Sequence, residues 1–314
     1  MRSVAIHPDT RWGVSIEEFH DDLRRFTPDR SGRWGGIEAV KDPSAADYHV
    51  VLNSAREVPD APTVLYCLEP PVIPQCEDWD KLDAESSFPA GRSRRPQLWH
   101  IGKGTERDYD FFDRLSQPEK SRRLSWITTD KGRDMNPLER VVREGFQKIG
   151  YRMHERKPLS RFNFPTDGHI LRMKFLDRLV DTYPGILDLY GRGDFTCDAY
   201  RGPLDDKWAG CASYKYSLAV ENYQGPNYFS EKVVDPLLAW SVPIYWGCTN
   251  LEEYLPEESF IRIDIEANNA PERLREILEN DDWEQRLDAV AEARRRILNE
   301  YQLFPTIESH IAGL

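Results

Sequence analysis

Glu221 and Asn222 close an apolar run, LAVEN, and a Gly/Pro/Asn loop separates them from Ser230, Glu231 and Lys232, which open a helix-like stretch. Serine is a favoured N-cap, and the first turn of a helix offers unpaired N–H groups and partial positive charge. With a lysine in that turn, the place suits a phosphate or pyrophosphate. An isolated S-E-K triplet is more often a plain cap with a solvated lysine. The polar pair Glu221–Asn222 tips the balance, because sites in parallel sheets form at the carboxyl ends of strands. A rival chemistry is offered by Asp108-Tyr109-Asp110, formally the D-x-D whose carboxylates bridge a divalent metal and a diphosphate. It lies in the charged run GTERDYDFFDR, where acidic surface is the simpler account.

Weaker signals have bland readings. The seven His show no metal-ligand spacing, so no metal site is expected. Gly191-Arg192-Gly193 is too short for a dinucleotide fingerprint, although a turn there would line a site. Cys248 has no base nearby in sequence and reads as a bystander thiol. Glu69 ends the run TVLYCLE before Pro70 and Pro71; taken alone, such a glutamate is most often a solvated loop residue.

These residues need elements to hold them, and the chain supplies an alternation of short β-rich runs and helical periodicity. Strands are expected at Val4–His7, Tyr48–Leu52, Thr63–Leu68, Leu98–Ile101 and Leu124–Thr128, with helices at Ile16–Phe26 and Leu138–Ile149. In the second half Ile170–Tyr183 puts Leu171, Phe175, Leu176, Leu179 and Val180 on one helical face. Strands follow at Ile186–Tyr190, Tyr216–Val220, Val242–Trp246 and Phe260–Ile263. Helices are expected at Glu231–Trp240, Leu251–Leu255, Pro271–Leu278 and Asp282–Tyr301. Pro236 should kink or shorten the first of these. Arg294–Arg296 reads as a solvated basic edge, with contact to a membrane surface left open. Strands separated by helices imply parallel pairing and an α/β class. The basic, proline-containing stretch Tyr151–Phe164 is the expected boundary, giving domains at 1–155 and 156–314.

Composition sets the outer limits. The 314 residues include nine Trp, fourteen Tyr and thirteen Phe, too aromatic for a disordered chain. A net charge of −12 argues against a protein that coats nucleic acid. Apolar stretches fall well short of the ~20 residues of a membrane span. The start, MRSVAIHPDTRW, lacks an apolar secretion signal, and the five Cys contain no C-x-x-C pair. A cytoplasmic protein with no membrane span is expected.

The run YKYSLAVENY…NYFSEKVVDPLLAWSVPIYWG…YLPEESFI resembles the C-terminal motif of the α-1,3/4-fucosyltransferases, glycosyltransferase family 10. The likeness extends upstream through GHILRMKFLDRL and ILDLYGRGDF, and LYCLEPPV looks like the family's E-x-P element. The resemblance implies a GT-B arrangement: two Rossmann-like domains facing a central cleft, the acceptor on the N-terminal one and GDP-fucose on the C-terminal one. By the same resemblance Arg172 and Lys232 would hold the pyrophosphate. Glu221, Asn222, Tyr228, Ser230 and Glu231 would surround the nucleotide and sugar, and Glu69 would be the general base.

The expected activity is inverting transfer of L-fucose from GDP-fucose to a hydroxyl of a glycan acceptor, with an α-1,3-type linkage. No cofactor is required, although Mn²⁺ or Mg²⁺ would be free to stimulate turnover. Two rivals stand beside it. One is a transferase of the same fold using another GDP-hexose; the other is a non-catalytic glycan- or nucleotide-binding homologue.

Overall fold

Three successive buried residues in each of several short strands, Val4–Ile6 and Val50–Leu52 among them, mark sheets covered on both faces. The computed structural model describes residues 1–53, 61–66, 68, 96–130 and 167–312. They form two units, 1–115 with 295–314, and 116–294.

The first unit contains β1 (Arg2–His7), β2 (Arg33–Trp34), β3 (Ile37–Ala39), β4 (Tyr48–Leu52) and β5 (Thr63–Tyr66). Their order is β2-β3-β1-β4-β5, parallel throughout except for the β2–β3 hairpin. Helix α1 (Ile16–Leu23) starts at a capping box: the Ser15 hydroxyl accepts from the Glu18 N–H, and the Glu18 carboxylate accepts from the Ser15 N–H. It buries Phe19 and Leu23. Helix α2 (Tyr109–Arg114) follows.

The second unit contains β6 (Arg122–Thr129), β7 (Asp188–Arg192), β8 (Tyr214–Gly225), β9 (Val242–Cys248) and β10 (Ile261–Arg262). The order is β10-β9-β8-β6-β7, every pair parallel. Around them lie α3 (Asp167–Thr182), α4 (Glu231–Leu238), α5 (Ala270–Asn280) and α6 (Leu287–Arg296). α3 buries Ile170, Met173, Phe175, Leu176 and Leu179; Leu171 and Val180 sit at its edge. Among the described residues no helix is long and apolar enough to cross a membrane.

Two mostly parallel α/β units in one chain match the expected fold class and the composition of a GT-B protein. The division differs from the expected one. It falls at 115/116 instead of 155/156, and the C-terminal segment belongs to the first unit. The cause is a set of long-range contacts. Gln97 N–H donates to the Tyr301 carbonyl at 2.7 Å, Gln302 Nε2 donates to the Phe26 carbonyl at 3.0 Å, and Tyr109 Oη donates to Asn299 Oδ1 at 2.9 Å. Helix α7 (Leu303–Ala312), absent from the sequence expectation, ends this segment. The expected boundary stretch Tyr151–Phe164 and helix Leu138–Ile149 lie outside the described residues.

Leu98–Ile101 is not a strand. Trp99 and Ile101 are fully buried, but the segment is irregular and tied down by Arg25 Nη2, which donates to the Trp99 carbonyl at 2.6 Å. Nor is Arg294 solvated: it is buried, lies 4.6 Å over the Trp240 ring and donates to the Leu238 carbonyl.

Candidate functional site

In the second sheet β6 comes first, β7 adds on one side and β8 on the other. Connections on either side of β6 therefore run to opposite faces, which leaves a crevice at the carboxyl ends of β6 and β8. Thr129 ends β6, and Glu221–Asn222 sit where β8 loses its regular register with β9. The polar pair singled out in the sequence lies at the topological switch point.

Arg172 reaches this place from the second turn of α3 and is 3% exposed. Its Nη1 donates to Asn222 Oδ1 at 2.7 Å, and its Nη2 donates to the Thr129 carbonyl at 2.8 Å while lying 2.7 Å from His169 Nδ1. Its Nε is buried and has no hydrogen-bond partner among the described residues. Burial lowers the pKa of Arg172 to about 10, against the opposing pull of Glu221, Glu231, Asp130 and Tyr228. The guanidinium is still charged at neutral pH. Gly168 allows this approach: a Cβ there would lie 2.4 Å from the Glu221 carbonyl oxygen and 2.5 Å from the Asn222 carbonyl carbon.

On the other side of β8, Glu221 is completely buried and receives the start of α4. Ser230 N–H donates to Glu221 Oε1 at 2.8 Å, and the Ser230 hydroxyl donates to Oε2 at 2.7 Å. Ser230 also caps α4, its oxygen accepting from Lys232 N–H. Lys232 Nζ lies 3.1 Å from Glu231 Oε1, 3.1 Å from Ser230 Oγ and 3.5 Å from Glu221 Oε2. Burial raises the pKa of Glu221, opposed by Lys232 and by the Ser230 bonds. For Lys232 burial works downward, but Glu231 and Glu221 outweigh it and hold the ammonium charged. Gly247 makes room for the carboxylate, since a Cβ there would fall 2.4 Å from Glu221 Cγ.

Pro236 does shorten α4, which stops at Leu238; Trp240 takes a left-handed backbone and Ser241 N–H closes onto the Pro236 carbonyl. The turn before the helix is stiffened by Asn227, whose N–H donates to Asn250 Oδ1 and whose Oδ1 accepts from Asn250 Nδ2 and Tyr254 Oη. Tyr228, 3% exposed, follows in that turn and packs edge-on against Tyr223.

Arg172, Glu221, Asn222, Tyr228, Ser230, Glu231 and Lys232 thus gather at one strand end. Glu69 lies outside the described residues; Leu68, immediately before it, is described. Gly168, His169 and Thr129 were not singled out in the sequence. Gly168 and His169 stand inside the motif GHILRMKFLDRL, so a glycine opening a helix was the available signal. Thr129 acts through its carbonyl, which no side-chain type announces. Asp108 and Asp110 belong to the first unit: Asp108 caps α2 and pairs with Arg30 at 2.7 Å, and Asp110 accepts from Asp29 N–H at 2.6 Å.

The buried Arg172 and the half-buried Lys232 lie close enough to feel one another's charge, and two cations so placed are able to hold an anion. The fork of Arg172 suits two oxygens at once; Lys232 supplies a point charge.

The family model described as "Glycosyltransferase family 10 (fucosyltransferase) C-term" matches residues 163–286. A GDP-fucose protein O-fucosyltransferase 3 of Danio rerio is 26% identical over 169 residues, covering 50% of this chain and 36% of that protein. An alpha-(1,3)-fucosyltransferase of Helicobacter pylori is 35% identical over 52 residues, 17% of this chain and 11% of that protein. Among solved structures, an alpha1,3-fucosyltransferase with GDP aligns with 16% identity and a TM-score of 0.45, covering 93% of this chain and 82% of that one. The matched stretches span about a third or less of these curated relatives. Residues 163–286, which match the C-terminal model of glycosyltransferase family 10, hold every described site residue save Thr129.

Proposed function

We propose that the protein transfers L-fucose from GDP-fucose to a hydroxyl of a glycan acceptor with inversion, the second unit holding the donor and the first the acceptor. One observation carries the reading: the buried guanidinium of Arg172, its Nε without a hydrogen-bond partner among the described residues, stands at the switch point beside Lys232 and the start of α4. Such a group is costly to bury unless an anion completes its shell.

In this reading the acceptor oxygen attacks C1 of the sugar as the C1–O bond to the β-phosphate breaks. Its proton passes to Glu69, and GDP departs with an added negative charge. In this reading Arg172 and Lys232 receive that charge, and held rigidly they stabilise the transition state more than the ground state. No divalent ion is needed for that role.

The Danio rerio match, the longer of the two matched stretches, favours a second reading of the acceptor alone, a hydroxyl on a protein. The test is turnover of a panel of GDP-sugars with glycan and peptide acceptors, with Glu69→Gln alongside. Selective use of GDP-fucose, lost in Glu69→Gln while GDP still binds, supports the proposal. Equal use of other GDP-hexoses, or GDP binding with no transfer to any acceptor, would turn it toward the rival donor or the non-catalytic homologue.

A further inference from the structure

Lys207 brings a further cation to α4. It opens a 3-10 turn, Lys207–Gly210, between β7 and β8. Asp206 caps that turn, its carboxylate accepting from Trp208 N–H at 2.9 Å. Gly210 seats the turn on β6: a Cβ there would lie 2.9 Å from Ile127 Cδ1. Trp126, the residue before, has its ring against Phe175 of α3, so Ile127 points to the opposite face of the sheet. Glu221, which receives the start of α4, points there as well by the register of Trp126 with Leu218. The Lys207 turn and α4 therefore share one face of the second sheet.

From that turn Lys207 Nζ reaches Asp235 Oδ2 at 2.9 Å. Asp235 is 2% exposed and stands one helical turn after Glu231 on α4. Burial works against the Lys207 ammonium, but Asp235 and then Glu231 outweigh it and hold it charged. Glu231 thus feels both lysines, with Lys232 Nζ at 3.1 Å.

The charge balance at this strand end gives the pair a use. Arg172 lies in the field of Glu221, Glu231 and Asp130, and Lys232 in that of Glu231 and Glu221. Two cations meet three carboxylates before Asp235 is counted. Burial raises the pKa of Glu221, yet with Glu221 left out the two cations only balance Glu231 and Asp130. Asp235 without its partner would then turn the place negative, which repels a diphosphate. A buried ion pair is a poor device for stability alone, since apolar residues of similar volume often serve as well. We infer that Lys207 is a positioning residue of the donor site: paired with Asp235, it offsets the carboxylates of α4 and leaves Lys232 to bind the diphosphate. The inference rests on the proposed donor site, and Lys207 itself touches neither nucleotide nor sugar.

Calorimetric titration of GDP into Lys207→Met, Asp235→Asn and the double variant tests it, with Lys232→Ala alongside. A unit charge about 10 Å from a phosphate in partly buried surroundings shifts affinity roughly 10-fold. Lys207→Met should weaken GDP by about that factor, and Asp235→Asn should tighten it about 3- to 10-fold. The double variant, with neither charge, should bind within about threefold of the parent. Opposite signs mark a charge effect, whereas a pair that only holds the fold would lower affinity in both single variants. Should Lys207→Met not fold, Asp235→Asn set against the double variant carries the same test of sign. GDP binding by Asp235→Asn that is equal to or weaker than the parent's would overturn the inference, as would parent-like affinity in Lys207→Met. If Lys232→Ala still loses GDP in either case, the donor site stands without Lys207. If Lys232→Ala binds GDP as the parent does, Lys232 leaves the donor site and the inference falls with it.

Discussion

Arg172 donates from Nη1 to Asn222 Oδ1 at 2.7 Å and from Nη2 to the Thr129 carbonyl at 2.8 Å, so one guanidinium ties the carboxyl end of β8 to that of β6. The crevice that parallel-sheet topology leaves open is thereby spanned by a fixed positive charge. Its position depends on how closely α3 approaches β8, and that approach is set by Gly168.

Gly168→Ala should lower both thermal stability and GDP affinity. In a helix, alanine would ordinarily gain up to about 1 kcal/mol over glycine, less at its first turn. Here the new Cβ meets backbone at 2.4 Å, and overpacking of that kind costs about 1–3 kcal/mol. The steric term should win. Thermal denaturation and GDP titration check it; an unchanged or higher melting temperature would show that α3 can shift at no cost.

The α/β class and most of the second sheet were legible because β6, β8 and β9 are apolar runs bounded by helix signals. Most of the candidate site was legible because Glu221, Asn222, Tyr228, Ser230, Glu231 and Lys232 cluster in sequence within VEN and NYFSEK. Leu98–Ile101 misled, since a buried irregular segment with Trp99 and Ile101 has the same apolar spacing as a strand. The division of the chain was hidden for a different reason. The return of residues 295–314 to the first unit depends on bonds such as Gln302 to Phe26, which leave no local pattern. The bond from Asn53 Nδ2 to Asp9 Oδ2 was invisible too: nothing in the spacing of an Asp after β1 and an Asn after β4 announces their contact.

The His7–His49 pair should make the first unit sensitive to acid. His7 Nε2 and His49 Nδ1 are 2.8 Å apart on adjacent strands, so both nitrogens cannot carry protons. Burial, then the charge of His49, lowers the pKa of His7 from 6.5 to about 4; burial lowers that of His49 also. Below pH 6.5 the unfolded chain takes up protons that the folded chain refuses, so stability should fall as pH drops from about 6.5 toward 4. In His7→Gln the melting temperature should decline less steeply over that window. Parallel declines in parent and variant would mean that the pair does not contribute.

Transfer should survive exhaustive treatment with EDTA. Asp108 and Asp110 are engaged as an α2 cap and by Arg30 and Asp29 in the first unit, whereas the cations assigned to the diphosphate lie in the second. Asp108→Asn with Asp110→Asn should therefore keep transfer, with the α2 cap retained because asparagine caps as well as aspartate, and at most about 1 kcal/mol lost with the Arg30 pair. Activity abolished by chelation, restored by metal and lost in the double variant would favour metal-dependent chemistry.

Calorimetric titration of GDP into the parent protein, Lys232→Ala and Arg172→Ala tests the proposed donor site most directly. Each variant removes one charge-assisted contact to a desolvated phosphate, worth about 1.5–3 kcal/mol, so each should weaken GDP roughly 10- to 150-fold. Unchanged affinity in both variants would contradict the assignment of the β6–β8 switch point as the donor site.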